Sequence, residues 1–134
     1  MIVLDASVAV ELLLATPNLG RQAADEISAA GGALHGPHLL DAEVGQVLRR
    51  FALRGSLPQR RAVRAMSRLR MLALIRHPHT PFLMRAFELR QNTTFHDALY
   101  LALAERLGAQ LLTADRSLAE VPGHRADVIV LKRR

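Results

Sequence analysis

The sequence predicts a single-domain α/β protein in which a five-stranded parallel sheet has helices on both faces. Three observations support this fold class. Short apolar segments of strand length alternate with longer segments whose apolar residues repeat at helical spacing. Such alternation implies strand–helix–strand crossovers, which make neighbouring strands parallel. The chain has 134 residues, half of them apolar, so one domain spanning residues 1–134 can bury a core without disulfides or a structural metal.

The individual elements follow from apolar runs and from the breaks between them. The predicted strands are residues 2–5, 33–35, 71–76, 110–113 and 128–131. The predicted helices are residues 7–15, 19–30 and 38–54, one beginning at Pro58, one ending near Arg90, and residues 96–107. Gly31, Gly55 and Gly108 follow three of these helices and suit their C-terminal caps. The helix over residues 96–107 is apolar almost all round, which predicts that it lies in the core.

The charge is unevenly distributed along the chain. The net charge is +6, and the segment between Glu43 and Glu88 has no acidic residue. That segment contains ten arginines: Arg49, Arg50, Arg54, Arg60, Arg61, Arg64, Arg68, Arg70, Arg76 and Arg85. Arginine forks match phosphate groups, so this block can attract nucleic acid, although a solvated helix face or a docking site for an acidic protein fits the pattern too.

The composition also bears on where the protein acts. The chain has no cysteine, and its first residues lack the basic segment and cleavage site of a secretory signal. Asp5 and Glu11 interrupt the longest apolar stretch, which leaves it too short to span a bilayer. We therefore expect a cytoplasmic protein without a transmembrane helix.

Three acidic residues occupy positions typical of an α/β active site. Asp5 ends the first strand, Asp115 follows the fourth strand, and Asp97 lies in the first turn of the apolar helix. Ligands of open α/β sheets bind beyond the carboxyl ends of the strands. Each residue alone could be a helix cap, and Thr94 to Asp97 has the spacing of a capping box. Together they predict a site for Mg²⁺ or Mn²⁺, because converging carboxylates repel one another unless a cation neutralises them.

Further oxygen ligands are available near the same edge. Asp41 and Glu43 are both candidates for a fourth carboxylate, and helical periodicity cannot choose between them. Ser7 and Thr113 offer hydroxyl groups that could support a metal-bound water or a carboxylate, or act only as local caps.

Four motifs in order and spacing resemble those of PIN-domain proteins, specifically VapC-type toxin ribonucleases of toxin–antitoxin pairs. They are IVLDASV at the start, LLDAEVGQVLRR in the third helix, TFHDALYLALAERLGAQLLTAD in the last third, and VIVL near the end. The resemblance spans nearly the whole chain. It implies a metal-dependent endoribonuclease whose catalytic and metal-binding acids are Asp5, Glu43, Asp97 and Asp115, with Ser7 and Thr113 in support. It therefore favours Glu43 over Asp41.

The resemblance also implies partners. These are a cognate VapB-type antitoxin, a second copy of the chain in a homodimer, and RNA, which we expect to be single-stranded or looped. Mg²⁺ is the expected cofactor, with Mn²⁺ as a substitute. The arginines expected to guide RNA are Arg49, Arg50, Arg60, Arg61 and Arg64.

Two other functions fit parts of the pattern. A phosphoacceptor receiver domain is a small parallel α/β protein with an acidic pocket, but it needs adjacent acids early in the chain and a lysine near its last strand. Asp5 has no acidic neighbour, and Lys132, the single lysine, falls after the final strand. A PIN-like module that binds RNA or protein without cleaving is the second alternative, and the complete set of acids argues against it.

Overall fold

A five-stranded parallel sheet organises the computed structural model, which describes residues 1–134. The strands are β1 (Ile2–Leu4), β2 (Leu34–Pro37), β3 (Leu74–His77), β4 (Gln110–Thr113) and β5 (Asp127–Val130). Their order across the sheet is β3-β2-β1-β4-β5, and every neighbouring pair is parallel. The predicted fold class is confirmed.

Seven α-helices connect and cover the strands. They are α1 (Ala6–Leu14), α2 (Leu19–Ala30), α3 (Leu39–Leu53), α4 (Gln59–Met71), α5 (Leu83–Glu88), α6 (Phe95–Leu107) and α7 (Arg116–Ala119), and a short 3₁₀ turn (Thr80–Phe82) precedes α5. Helix α1 packs against α2, α3 and α4, whereas α6 packs against α5 and lies along β1, β2 and β4. None of these helices combines the length and the hydropathy of a membrane-spanning segment.

Local sequence accounts for where several helices begin and end. Thr94 caps the start of α6 by accepting a hydrogen bond from the backbone N–H of Asp97. Gly31 and Gly108 end α2 and α6 with φ angles of 63° and 62°, a left-handed conformation that glycine adopts without strain. Seven consecutive residues of α6, from Ala98 to Ala104, are buried, which confirms its predicted place in the core.

The third strand lies further along the chain than predicted. The sequence predicted residues 71–76, but α4 continues to Met71 and the strand is Leu74–His77. The apolar run that suggested a strand is shared between the end of a helix and the start of a strand, and Met71 is exposed. Periodicity cannot divide such a run.

The topology places two strand ends side by side at the point where the chain reverses direction across the sheet. From β1 the chain adds β2 and β3 on one side, whereas β4 and β5 lie on the other. Because β1 pairs with β4 in parallel, with Leu4 opposite Leu112, the residues that follow both strands meet at the same sheet edge. This crevice is where ligands of open α/β sheets bind.

Candidate active site

Asp5 lies at the carboxyl end of β1 and is held by three hydrogen bonds. Its Oδ1 accepts one from the Ser7 hydroxyl at 2.6 Å and one from the Val8 backbone N–H at 3.1 Å. Its Oδ2 accepts a short hydrogen bond from the Thr113 hydroxyl. The residue is only 8% exposed, and this burial raises the pKa of its carboxyl group even though the three hydrogen bonds favour the charged form. Asp5 is thus a helix cap that also reaches β4.

Ser7 and Thr113 join the two strand ends through Asp5. Besides donating to Asp5, the Ser7 hydroxyl accepts a hydrogen bond from the Ala114 backbone N–H at 3.1 Å. The Thr113 hydroxyl accepts one from the Asp115 backbone N–H at 3.0 Å. The orientation of the Asp5 carboxylate is therefore fixed by both sides of the crevice.

Asp97 lies in the first turn of α6 and faces the other acids. The capping contact considered as an alternative is present: the Thr94 hydroxyl accepts a hydrogen bond from the Asp97 backbone N–H at 3.1 Å. Partial burial raises the pKa of Asp97, and the negative charges of Glu43 and Asp115 raise it further. The charge of Asp97 in turn contributes to the raised pKa of Asp5.

Glu43 and Asp41 have different surroundings, although only two residues separate them in α3. Glu43 Oε1 accepts a hydrogen bond from the Tyr100 hydroxyl at 2.6 Å. Asp41 instead forms a bidentate ion pair with Arg76, with N–O distances of 2.6 and 3.1 Å. The structure thus brings Glu43 toward Asp97 and directs Asp41 away from the other acids.

Asp115 is exposed and follows β4. Its Oδ1 accepts hydrogen bonds from the backbone N–H and the hydroxyl of Ser117, at 2.9 and 2.7 Å, so it caps the short helix α7. Its charge still acts on Asp97. Asp115 therefore caps a helix, as Asp5 does. Both residues also lie close enough to Asp97 for their charges to interact with it.

We call Asp5, Glu43, Asp97 and Asp115 the acid cluster. Its donor set consists of oxygens only, and its members repel one another, so its chemistry fits a hard divalent cation. No three acidic or histidine side chains of the chain are placed so that a single ion could contact them all. Mg²⁺ usually binds through one or two carboxylates and keeps several waters, and the cluster fits that mode of binding.

Several of the ten arginines between Glu43 and Glu88 form hydrogen bonds or ion pairs within the protein. Arg61 and Arg68 of α4 donate hydrogen bonds to the carbonyls of Leu14 and Leu13, at 3.2 and 2.9 Å. Arg76 pairs with Asp41, and Arg85 pairs with Glu88 and Glu105. Of the five arginines expected to guide RNA, four are exposed and have side chains that form no ion pair or hydrogen bond with the protein: Arg49, Arg50, Arg60 and Arg64. Arg61 is the fifth, and it is exposed although it also bonds α1.

Tyr100 is the residue of this region that sequence reasoning missed, because its apolar neighbours made it look like ordinary core. It lies one helical turn after Asp97, on the same face of α6. A buried tyrosine hydroxyl usually has a hydrogen-bond partner, and that expectation was the available signal.

Known proteins match this chain in sequence and in fold. The PIN domain family model matches residues 2–124. Ribonuclease VapC9 of Mycobacterium tuberculosis is 41% identical over 133 residues, which cover 99% of this chain and all of that protein. Ribonuclease VapC1 of the same species is 49% identical over 88 residues, which are 65% of this chain and 66% of that protein. The chain belongs to the PIN-domain family and, within it, to the VapC ribonucleases.

A solved structure agrees with the fold assignment. A toxin–antitoxin complex from Klebsiella pneumoniae contains a chain that superimposes with a TM-score of 0.68 at 18% identity, and the match covers all of both chains. At this level of identity the match supports the architecture.

Proposed function

We propose that the chain, acting as one domain over residues 1–134, is a metal-dependent endoribonuclease and the toxin of a type II toxin–antitoxin pair. The observation that carries this proposal is the acid cluster, in which burial and then the charges of Glu43 and Asp115 raise the pKa of Asp97. Like charges are assembled at the crevice between β1 and β4, where a cation would relieve their repulsion. The names of the VapC relatives support ribonuclease activity.

We assign different roles to the acids. Asp5 and Asp97 are the proposed direct ligands of Mg²⁺ or Mn²⁺, while Glu43 and Asp115 hold it through water or orient the attacking water. Ser7 and Thr113 keep the Asp5 carboxylate in one orientation through their hydrogen bonds. When bound, the metal would polarise the phosphodiester and lower the pKa of a coordinated water.

The substrate and the partners are inferred from charge and from the family. The exposed arginines of α3 and α4, above all Arg49, Arg50, Arg60 and Arg64, would attract the phosphates of single-stranded or looped RNA toward a cleft that is itself negative. A cognate VapB-type antitoxin is the proposed protein partner, because a matching chain occurs in a toxin–antitoxin complex. The expected homodimer stays a prediction, which size-exclusion chromatography of the purified chain would test.

The proposal is tested by incubating the protein with a mixed RNA pool. We expect cleavage with Mg²⁺ or Mn²⁺, none with EDTA, and recovery when excess metal is added. Asp97→Asn should abolish cleavage, whereas Asp41→Asn, a matched change of an acid outside the cluster, should leave it. Full activity in EDTA would contradict the metal mechanism. Metal-dependent RNA binding without any cleavage would favour the non-cleaving module.

A further inference from the structure

Tyr100 is a buried polar side chain that the roles proposed so far leave unused. It is 2% exposed in the middle of α6, and its hydroxyl donates to Glu43 Oε1 at 2.6 Å. This hydrogen bond joins two residues 57 positions apart and links α6 to α3. The second carboxylate oxygen of Glu43, Oε2, accepts no hydrogen bond from the chain and can meet a ligand.

The two partners differ in how firmly they are held. Glu43 is half-buried and has a long side chain with several rotatable bonds, whereas the ring of Tyr100 is enclosed among the buried residues of α6. A hydrogen bond to an ionised carboxylate is stronger than one between neutral groups. The enclosed ring of Tyr100 therefore determines the orientation of the Glu43 carboxylate. An ionised carboxylate can only accept, so the Tyr100 hydroxyl is the donor of this hydrogen bond and Glu43 Oε1 its acceptor.

We propose that Tyr100 is a positioning residue of the metal site, which acts by fixing the Glu43 carboxylate so that its second oxygen faces the Asp97 side of the crevice. The inference rests on the proposed function. It differs from a purely structural role, in which the hydroxyl would use Glu43 only to satisfy its own hydrogen bond. In that case, removing the hydroxyl would change stability but not metal binding.

The first test removes the hydroxyl and keeps the ring. Tyr100→Phe should weaken Mg²⁺ binding by about 10-fold, measured by calorimetry on EDTA-treated protein, because groups that orient metal ligands typically contribute 10–100-fold to affinity. The Mg²⁺ concentration for half-maximal RNA cleavage should rise by a similar factor, while the rate at saturating Mg²⁺ changes much less. Leu103→Val, a packing change in the same helix, should lower stability and leave Mg²⁺ affinity unchanged.

A second test uses the wild-type residue as its own probe and does not depend on the folding of Tyr100→Phe. The chain has one tyrosine and no tryptophan, so its intrinsic emission reports on Tyr100 alone. A hydrogen bond to a carboxylate quenches tyrosine emission. A cation held by Glu43 draws charge from its carboxylate and weakens it as an acceptor, so saturable addition of Mg²⁺ should raise the emission while the hydrogen bond persists. Glu43→Gln should remove this response, and Asp41→Asn should retain it.

The outcomes separate the inference from the function on which it rests. Mg²⁺ affinity in Tyr100→Phe equal to that of the wild type, or wild-type emission that ignores bound Mg²⁺, would overturn the positioning role and leave the ribonuclease proposal intact. Wild-type protein that neither binds Mg²⁺ nor cleaves RNA with it would overturn both.

Discussion

Asp5 combines a helix cap and a site carboxylate in a single side chain. Its Oδ1 caps α1 through the Val8 N–H, and the Ser7 and Thr113 hydroxyls donate to the same carboxylate. Capping was expected to be an alternative to a site role, but the two oxygens of one carboxylate permit both. The consequence is that removing this side chain disturbs the fold as well as the site.

Alanine substitutions at Asp5 and Asp97 should therefore have different effects on stability without metal. Asp5→Ala loses a cap and leaves buried donors without an acceptor, so its free energy of unfolding should fall by about 1–3 kcal/mol. Asp97→Ala removes a carboxylate whose pKa is raised by burial and by its charged neighbours, so stability should stay equal or rise. Urea unfolding at pH 7.5 in EDTA measures both. An equal loss in the two variants would show that Asp97 is only a structural residue.

His35 predicts how stability depends on pH. It is 6% exposed in β2, its Nδ1 lies 2.8 Å from His77 Nε2, and its own Nε2 has no hydrogen-bond partner. Burial lowers the pKa of His35, and the nearby His77 lowers it further. The unfolded chain therefore binds more protons, and the contribution of His35 to stability is present above pH 6.5, the unfolded pKa, and is lost as the pH falls below it.

The measurement for His35 is thermal unfolding between pH 7.5 and 5.5. Wild type should lose stability over this range, and His35→Leu should lose less. Leu74→Val is the control, since it changes packing in the neighbouring strand β3 without touching a titratable group and should lower stability similarly at every pH. A profile in His35→Leu as steep as that of the wild type would assign the pH dependence to other groups.

At the scale of elements, the sequence predicted every strand and the main helices, because apolar period and glycine breaks are local signals. It misplaced the start of β3, where helix and strand share one apolar run. The sequence could not predict that α4 supplies hydrogen-bond donors to the C-terminal end of α1. The last two carbonyls of α1, at Leu13 and Leu14, receive their hydrogen bonds from Arg68 and Arg61. These contacts depend on how two helices pack, and no local pattern encodes them.

Helix α4 contains two pairs of arginines for which we expect different functions. Replacing Arg60 and Arg64 with Gln should weaken RNA binding and leave the melting temperature unchanged, because neither bonds to the protein. If both contact phosphates of single-stranded RNA, the slope of log K against log salt should become shallower by about 1.4. Replacing Arg61 and Arg68 with Gln should lower the melting temperature, since α1 loses two donors.

Binding assays across a salt series and thermal unfolding of both double variants test this division. An unchanged salt slope in the Arg60/Arg64 variant would assign that face to solvent or to a protein partner.

For the whole molecule, the topology and the strand-end acids were readable from the sequence, because parallel strands bring their carboxyl ends to one edge. The fourth acid was not readable from periodicity, since Asp41 and Glu43 lie on opposite flanks of the apolar face of α3. The tertiary structure distinguishes them, because Asp41 forms an ion pair with Arg76 whereas Glu43 accepts a hydrogen bond from Tyr100. The family resemblance favoured Glu43, and the assignment of the acids to catalysis stays a prediction.

Metal binding should be visible as stability of the whole molecule. A cation that binds the folded chain and not the unfolded one adds RT ln(1 + [M]/Kd) to the free energy of unfolding, about 2.7 kcal/mol at a concentration of 100 Kd. We therefore expect the melting temperature to rise with the logarithm of Mg²⁺ concentration once the site is filled. Asp97→Asn and Glu43→Gln should lose most of this rise. Asp41→Asn should keep it, although its starting stability is lower because Arg76 loses its partner.

Scanning calorimetry over a Mg²⁺ series measures the four proteins side by side. A rise of the same size in all four would place the bound Mg²⁺ outside the acid cluster, whereas a rise confined to the wild type and Asp41→Asn locates it there.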